Sequence, residues 1–335
     1  MRKKIFVTGW AWFIWSNFLN KYVKKFPEID FINLDFLTYA GKLENISNET
    51  KNSKNYFFEK IDIRDKENLE KIFEKYSEKN YELDSRLHGN DKVLFSNKHI
   101  WTIHFAAETH VDNSIKNPKI FTETNVIWTQ NLLDLHLKFW FWRFHQISTD
   151  EVYWDLANWW FFTEETPLNP SSPYSASKAS SDFIVKAYWR TFGLNYTISR
   201  CSNNYWPNQD WEKLIPHFID LLKNNEKLTI YWDWSNIRDW LFVDDHNDAV
   251  WEIFTKANPW KIYNIWGNNE KTNLEISKLI LKEMWKWEEF LAFVEDRKWH
   301  DLRYAIDATK IKNELWWQPK VMFEEWIKKT IKFYL

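Results

Sequence analysis

Residues 4–16 read KIFVTGWAWFIWS, and the order of residue types in this stretch decides the fold. The run Ile5-Phe6-Val7 is short and apolar, which is typical of a buried strand. Gly9 follows it, and apolar side chains then recur over residues 16–25 at the spacing of one helix face. A strand, a glycine-bearing turn and a helix in this order predict a dinucleotide-binding unit, in which a pyrophosphate lies on the helix N-terminus.

Tryptophan occupies positions 10, 12 and 15 of this turn, where close approach of backbone to phosphate calls for glycine. The chain has 25 Trp and 5 Gly, whereas an average content of about 7% Gly predicts roughly 23 glycines at this length. With glycine restored, residues 8–16 read TGGAGFIGS, a G-x-x-G-x-x-G turn. We hypothesise that most of these tryptophans are glycines in the natural protein, as when a UGA codon that specifies glycine is translated as tryptophan. As tryptophans, Trp12 and Trp15 would fill the space of the pyrophosphate.

Strand and helix patterns alternate up to about residue 200, which predicts an α/β fold with a Rossmann-like doubly wound parallel sheet. Beyond residue 201 the alternation weakens. We therefore predict an NAD-binding domain at 1–200 and a smaller mixed α/β substrate-binding domain at 201–335. Segments of the two domains could be interleaved. The polar residues 81–99 predict a surface insertion between a helix and a strand. The predicted helices and strands after the first unit are 31–35, 66–76, 102–105, 122–137, 144–148, 175–192 and 196–199.

The composition limits the partners and the compartment. Because 45 basic and 47 acidic residues leave a net charge of −2, no global basic field favours nucleic acid as a partner. No apolar stretch approaches the roughly 20 residues that span a bilayer, so we predict no membrane association. The single cysteine, Cys201, cannot form an internal disulfide and fits a cytoplasmic location. The nine histidines lack metal-ligand spacing, so no metal is expected.

Asp35 ends the second predicted strand, where a carboxylate in this fold accepts both ribose hydroxyls of a dinucleotide. A carboxylate there repels a 2′-phosphate, so the sequence favours NAD over NADP. Taken alone, an aspartate at such a position is more often an acidic loop residue. The pair Asp62-Ile63, after the next strand, supports the cofactor interpretation.

Two short motifs carry acid–base chemistry. Tyr174 and Lys178 are four residues apart and share one face of a predicted helix. A Lys ammonium there can lower the pKa of the phenol from about 10 and allow Tyr174 to act as a general base. Upstream, Asp150-Glu151 follows a predicted strand at its carboxyl end, where open α/β sheets bind ligands. Alone, the first motif is also common on solvated helix faces, and the second in acidic loops or helix caps.

The chain resembles the dTDP-glucose 4,6-dehydratases, which belong to the extended short-chain dehydrogenase/reductase superfamily. The resemblance runs from residue 3 to the C-terminus and is interrupted mainly at residues 81–99. Its most specific parts are the TDE triplet and the paired NNY and RDW segments. The segments that carry it are TGWAWFIWSNF, LDFLTYAG, HFAAETHVDNSI, ISTDEVYW, SPYSASKA, RCSNNYWP, EKLIPHFI, SNIRDWLFVDDH and EDRKWHDLRYAID.

The resemblance implies conversion of dTDP-glucose to dTDP-4-keto-6-deoxyglucose and water, in deoxysugar biosynthesis of the dTDP-rhamnose type. A hydride would pass from C4 of the glucose to NAD and return to C6. The resemblance gives Tyr174 the proton of the 4-hydroxyl, Thr149 a hydrogen bond to that oxygen, and Lys178 the nicotinamide ribose. Glu151 would take the C5 proton while Asp150 protonates the departing C6 hydroxyl, a division of roles that needs two carboxyl groups with different pKa values.

The resemblance also implies a homodimer and two sets of binding residues. Arg238 and Arg297 suit a pyrophosphate, because a guanidinium binds oxygen pairs; a surface ion pair with Asp244-Asp245 is the alternative for Arg238. The NAD-binding set is Gly9, Trp12, Phe13, Ile14, Asp35, Thr38, Asp62, Ile63, Ala106, Ala107, Thr124, Tyr174 and Lys178. The substrate-binding set is Thr109, Asn203, Lys213, Leu214, Arg238, Asn273, Arg297 and His300.

Two other functions remain open at this point. One is another NAD-dependent nucleotide-sugar epimerase or dehydratase, which a different product from dTDP-glucose would reveal. The other is a catalytically silent NAD-binding scaffold, which would bind NAD without turnover.

Overall fold

A computed structural model of the protein describes residues 2–9, 13–37, 42–77, 81–83, 93–95, 97–154, 160–206, 208–231, 236–294 and 303–335. Its strands are β1 (Lys4–Thr8), β2 (Asp30–Asp35), β3 (Tyr56–Lys60), β4 (Tyr81–Leu83), β5 (Val93–Phe95), β6 (Asn97–His104), β7 (Phe141–Thr149), β8 (Tyr196–Cys201), β9 (Asn203–Tyr205), β10 (Leu228–Tyr231), β11 (Ile237–Phe242), β12 (Lys261–Ile265), β13 (Glu270–Thr272) and β14 (Leu291–Val294). Its α-helices are α1 (Phe13–Lys25), α2 (Asn48–Lys51), α3 (Lys66–Tyr76), α4 (Val111–Lys116), α5 (Pro118–Phe121), α6 (Trp128–Lys138), α7 (Pro173–Phe192), α8 (Leu214–Lys223), α9 (Val243–Lys256), α10 (Asn273–Glu283), α11 (Thr309–Leu315) and α12 (Phe323–Tyr334).

Seven parallel strands form the central sheet, in the order β12-β8-β7-β6-β1-β2-β3. Successive side chains of β1 point to opposite faces, as strand geometry requires. Ile5 and Val7 join the apolar cluster formed with α1 and α9, whereas Phe6 joins the cluster formed with α3 and α6. Helices therefore cover both faces of the sheet, which confirms the predicted Rossmann-like class.

A smaller part of the molecule lies beyond the sheet. β13, β11 and β9 form a mixed three-stranded sheet, and β10 pairs in parallel with β14. α8 buries Ile215, Ile219 and Leu222, which recur at the spacing of one helix face. These side chains pack with apolar residues of α10 and α12 in a separate cluster.

The start of β6 differs from the predicted end of the insertion. β6 begins at Asn97, so residues 97–99 belong to a strand of the central sheet rather than to the insertion; Asn97 is buried and its side-chain amide donates to the carbonyl of Phe139 (2.9 Å). Within the insertion, β4 and β5 pair antiparallel. β12 also pairs with β8, so a segment of the second part completes the first sheet. The division of domains at residue 200 stays a prediction, with this interleaved strand.

Helix lengths and composition bear on membrane association. Within the described ranges, no helix combines the length and the apolar character needed to cross a bilayer.

Candidate active site

An open cleft with a cavity volume of about 170 Å³ lies at the carboxyl ends of β1, β6, β7 and β8. This is the edge at which open α/β sheets bind ligands. Its lining comes from the last residues of β7 and β8, from residues that follow these four strands, and from α1, α7 and the segment before α8. The lining residues are Gly9, Phe13, Ile14, Trp15, Phe105, Ala107, Thr109, Ile147, Ser148, Thr149, Asp150, Glu151, Tyr174, Lys178, Cys201, Ser202, Asn203, Asn204, Gln209 and Lys213.

Thr149 stands at the centre of the candidate catalytic group. It ends β7 in an extended conformation and precedes a 3₁₀ turn at Asp150–Val152. Its Oγ1 accepts the backbone N–H of Glu151 (3.3 Å) and donates to Asp150 Oδ1 (3.2 Å). Thr149 also lies near enough to Tyr174 to lower the pKa of its phenol, against the larger effect of burial. Thr149 is therefore adjacent to both the candidate acid and the candidate phenolic base.

Asp150 is 3% exposed and lies beside a second carboxylate. Burial, and next the charge of Glu151, raise the pKa of Asp150 to about 8, although the charge of Arg238 acts in the opposite direction. At neutral pH this carboxyl group therefore holds a proton that it can donate.

Tyr174 and Lys178 lie on the first two turns of α7. Ser172 caps this helix through a reciprocal pair of hydrogen bonds with Ser175, and Pro173 occupies its first turn. Because the N-terminus of α7 is capped in this way, the directions of the Tyr174 and Lys178 side chains are fixed. Lys178 Nζ donates to the carbonyl oxygen of Ile147 (2.7 Å), which ties α7 to the end of β7.

The pKa of Tyr174 departs from the sequence prediction. Burial, and next the charge of Glu151, raise the pKa of Tyr174 well above its usual value, whereas the predicted direction was downward. The physical reason is desolvation: Lys178 is buried with Tyr174, and burial lowers the pKa of its ammonium to about 8. The charge of Asp182 partly counteracts this effect on Lys178.

The residues predicted to bind NAD lie along one edge of the sheet. Gly9, Phe13, Ile14 and Ala107 line the cleft. The other described members follow strands or lie in a helix nearby: Asp35 ends β2, Asp62 and Ile63 follow β3, Ala106 follows β6, and Thr124 belongs to a π-helical turn before α6. Trp12 and Thr38 lie outside the described residues.

The residues at this edge fit a dinucleotide. Asp35 is 3% exposed, and its carboxylate accepts the backbone N–H of Leu37 (2.7 Å). Thr124 Oγ1 and Ser148 Oγ are buried and have no hydrogen-bond partner among the described residues, so polar ligand groups can use them. At Gly9, by contrast, an added Cβ would lie 2.8 Å from Cδ1 of the buried Trp15, so the tryptophan itself fills the space beside Gly9, and a pyrophosphate there calls for a smaller residue at position 15.

Only some of the predicted substrate-binding residues line the cleft. Thr109, Asn203 and Lys213 line the cleft, and Leu214 begins α8 directly after it. The guanidinium of Arg238 lies 5.1 Å from the ring centre of Tyr304. Its charge lowers the pKa of Asp150, which places Arg238 near the candidate acid. Asn273 begins α10, while Arg297 and His300 lie outside the described residues.

Sequence reasoning missed several cleft residues that lie next to motifs it did use. Ser148 precedes the TDE triplet, and Ser202 and Asn204 flank Asn203. Adjacency to a motif at a strand end was the available signal for these residues. Gln209 had no such signal, since its place follows from the path of the chain before α8. No group of three or more acidic, His or Cys side chains suited to a metal ion occurs in the part of the chain that the structure describes.

Fold and site together define an enzyme of the extended short-chain dehydrogenase/reductase superfamily. The family model described as GDP-mannose 4,6 dehydratase matches residues 90–330. The dTDP-glucose 4,6-dehydratase of Haemophilus influenzae is 42% identical over 352 residues, covering 99% of this chain and 97% of that protein. The structure of the dTDP-glucose 4,6-dehydratase of Bacillus anthracis in complex with NAD superposes with a TM-score of 0.84 and 40% identity, covering 99% of this chain and 96% of the other.

A structure of the UDP-glucose 4-epimerase of Thermotoga maritima with UDP-glucose has the same TM-score, 0.84, at 27% identity, covering 99% of this chain and 98% of that one. The fold is therefore common to dehydratases and epimerases. The higher sequence identity to the dehydratases (40–42%) than to this epimerase (27%) distinguishes the two. The chain belongs to the dTDP-glucose 4,6-dehydratase family of NAD-dependent hydro-lyases.

Proposed function

We propose that the protein converts dTDP-glucose to dTDP-4-keto-6-deoxyglucose and water, in deoxysugar biosynthesis of the dTDP-rhamnose type. One observation carries the proposal: Asp150, with a pKa of about 8, lies next to Glu151 and lines the same cleft as Thr149 and Tyr174. A reaction that needs a neutral acid, a carboxylate base and a phenolic base in one cleft uses all three.

In the first step, Tyr174 accepts the proton of the glucose 4-hydroxyl; because burial raises the pKa of its phenol, the phenolate would form once the positive charge of bound NAD offsets that effect. Thr149, which lines the same cleft, orients this hydroxyl. Lys178 would hold the nicotinamide ribose from the same helix face. NAD, when bound, accepts a hydride from C4 and later returns it to C6.

In the second step, the C4 ketone acidifies the C5–H bond. Glu151 takes the C5 proton, Asp150 protonates the C6 hydroxyl, the C6–O bond breaks, and a C5–C6 double bond forms as water leaves. Return of the hydride to C6 and of the proton to C5 completes the reaction. Tyr174 has then gained one proton and Asp150 has lost one, so a proton must pass from Tyr174 back to Asp150 before the next turnover.

The substitution Glu151→Gln tests the role of the base. We expect the variant to bind dTDP-glucose as the wild type does, but to lose deuterium incorporation at C5 in deuterium oxide. A loss of general-base catalysis of roughly 10²- to 10⁴-fold is expected in turnover. Glu165→Gln is the control, because Glu165 is exposed and does not line the cleft. Unchanged turnover in Glu151→Gln would overturn the assignment.

We infer that the protein acts as a homodimer in the cytoplasm. Exposed apolar side chains occur on and beside α7: Phe183 is 53% exposed, Ile127 47% and Ile115 64%. Such a surface supports pairing with a second copy. Cys201 is a buried thiol whose pKa burial raises to about 12, which fits a compartment where thiols stay reduced. Sedimentation equilibrium should give twice the mass of the chain, and Phe183→Asp should give a monomer.

A further inference from the structure

Asp182, Arg200 and Tyr153 form a buried chain of polar contacts beneath the active site. Arg200 is 2% exposed and Asp182 is fully buried. Arg200 Nε donates to Asp182 Oδ2 (3.0 Å), and Arg200 Nη1 donates to the hydroxyl of Tyr153 (2.8 Å). Buried charges are costly unless paired, so this arrangement fixes the relative positions of all three side chains.

The two ends of this chain belong to the two halves of the catalytic group. Asp182 lies on α7, one turn beyond Lys178 and on the helix that also carries Tyr174. Tyr153 closes the turn that carries Asp150 and Glu151, and its backbone N–H donates to the carbonyl of Asp150 (3.0 Å).

Tyr153 is also fixed on its far side. Its hydroxyl donates to Asn264 Oδ1 (2.8 Å), and its ring stacks on Phe162 at 5.1 Å. Asn264 Nδ2 in turn donates to the carbonyl of Phe162 (3.0 Å). Because Tyr153 is fully buried, its side chain is held in place, and Arg200 connects it to Asp182 of α7.

We propose that Arg200 is a positioning residue that holds the acid–base turn of Asp150 and Glu151 in register with the Tyr174–Lys178 face of α7. Tyr174 and Lys178 serve the oxidation of C4, whereas Asp150 and Glu151 serve the elimination of water. A looser contact between the turn and α7 therefore slows elimination more than oxidation. The inference rests on the proposed dehydration, which the wild-type protein reports in the same experiment.

Tyr153→Phe is the sharpest test, because it removes the hydroxyl that joins Arg200 to the turn and keeps the ring on Phe162. In single turnovers with NAD and dTDP-glucose in deuterium oxide, C4 oxidation is followed by the absorbance of reduced nicotinamide, and elimination by deuterium at C5. We expect oxidation to stay near the wild-type rate, while elimination slows roughly 10- to 100-fold, the effect of a small misplacement of catalytic groups. The KM for dTDP-glucose should stay unchanged, and reduced nicotinamide should accumulate.

Tyr263→Phe is the matched control. Tyr263, like Tyr153, is buried. Its hydroxyl donates to Glu314 Oε2 (2.7 Å), and its side chain does not line the cleft. Its variant should show wild-type rates for both steps. Equal slowing of both steps in Tyr153→Phe, or no slowing, would overturn the proposal. Absence of keto product from the wild-type protein would instead refute the proposed function.

Arg200→Lys gives a second test through the same contact. Lysine can keep the ion pair with Asp182, but its donors all lie on one nitrogen, so it does not span Asp182 and Tyr153 as the guanidinium of Arg200 does. We expect its elimination rate to match that of Tyr153→Phe, and the double variant to be no slower than either single variant. Additive effects on elimination would contradict a shared contact.

Discussion

At the residue scale, the environment of Asp150 lowers the stability of the folded protein at neutral pH and keeps the carboxyl group protonated for catalysis. The protein buries this carboxyl group beside Glu151, which raises its pKa to about 8. An unfolded Asp has a pKa near 3.9. Its contribution to stability is therefore fully present below about pH 4 and is lost as pH rises through about 8. Above that pH the folded protein holds two neighbouring carboxylates, one of them buried.

The substitution Asp150→Asn separates these two effects. Product formation should fall roughly 10²- to 10⁴-fold, because the amide cannot protonate the leaving hydroxyl. The variant should also gain stability over the wild type on the order of 5 kcal/mol between pH 4 and pH 9, since its side chain does not ionise. Urea unfolding at several pH values measures the gain. A stability difference that is the same at both pH values would contradict the raised pKa.

Proton donation by Asp150 also predicts the pH dependence of the wild-type enzyme. The acid form dominates below its pKa of about 8, so the rate of elimination should fall as pH rises through that value. Deuterium incorporation at C5 across a pH series measures this step. A rate that rises steadily to pH 10 would be inconsistent with Asp150 as the acid.

At the scale of helices, several ends adopt a conformation that suits glycine. α7 ends at Gly193, with φ of 74°. The residues after α6, α10 and α11 also have positive φ, but they are tryptophans: Trp140 (53°), Trp285 (56°) and Trp316 (58°). Glycine is the usual residue at this helix position, because a Cβ costs about 1–2 kcal/mol there. This pattern supports the hypothesis that these residues are glycines in the natural protein.

Trp285→Gly tests the hypothesis by its effect on stability. Trp285 is 90% exposed, so little packing is lost. We expect the free energy of unfolding to rise by about 1 kcal/mol. Trp287→Gly is the control, since Trp287 is also exposed (74%) but has a φ of −109°. Equal effects of the two substitutions would contradict a conformational origin. Peptide sequencing of the natural product at positions 10, 12 and 15 would decide the hypothesis itself.

At the scale of the whole molecule, buried histidines link stability to acid. Burial lowers the pKa of His104, His136 and His145 to about 3 and that of His246 to about 4. Unfolded histidine has a pKa near 6.5, so their contribution is fully present above about pH 6.5 and is lost as pH falls towards 3. Buried carboxyl groups with raised pKa, such as Asp239, act in the opposite direction. A single substitution is needed to separate the two.

His145→Gln provides that separation. His145 bridges Thr197 Oγ1 (2.8 Å) and Ser199 Oγ (3.1 Å), so the variant should be less stable at pH 7. The deficit should shrink by about 1.4 kcal/mol for each pH unit below 6.5, because glutamine takes up no proton on unfolding. Urea unfolding at pH 7, 6 and 5 measures it, and a constant deficit would contradict the lowered pKa.

Local patterns predicted the sheet and the catalytic motifs, whereas contacts distant in sequence did not follow from them. Tyr174 and Lys178 share a helix face, which the spacing alone predicts. Arg200 donates a hydrogen bond to Tyr153, which is 47 residues away in the sequence, and no local sequence pattern predicts such a contact. The pKa direction of Tyr174 was wrong for the same reason, since its burial depends on elements that assemble only in the folded chain.

The fate of the C4 hydrogen tests the central claim most directly. The protein is incubated with NAD and dTDP-glucose that carries deuterium at C4, and the product is examined by NMR and mass spectrometry. Internal transfer predicts dTDP-4-keto-6-deoxyglucose with the deuterium in its C6 methyl group. A product with the deuterium retained at C4, as in epimerisation, or no turnover with NAD bound, would contradict the account.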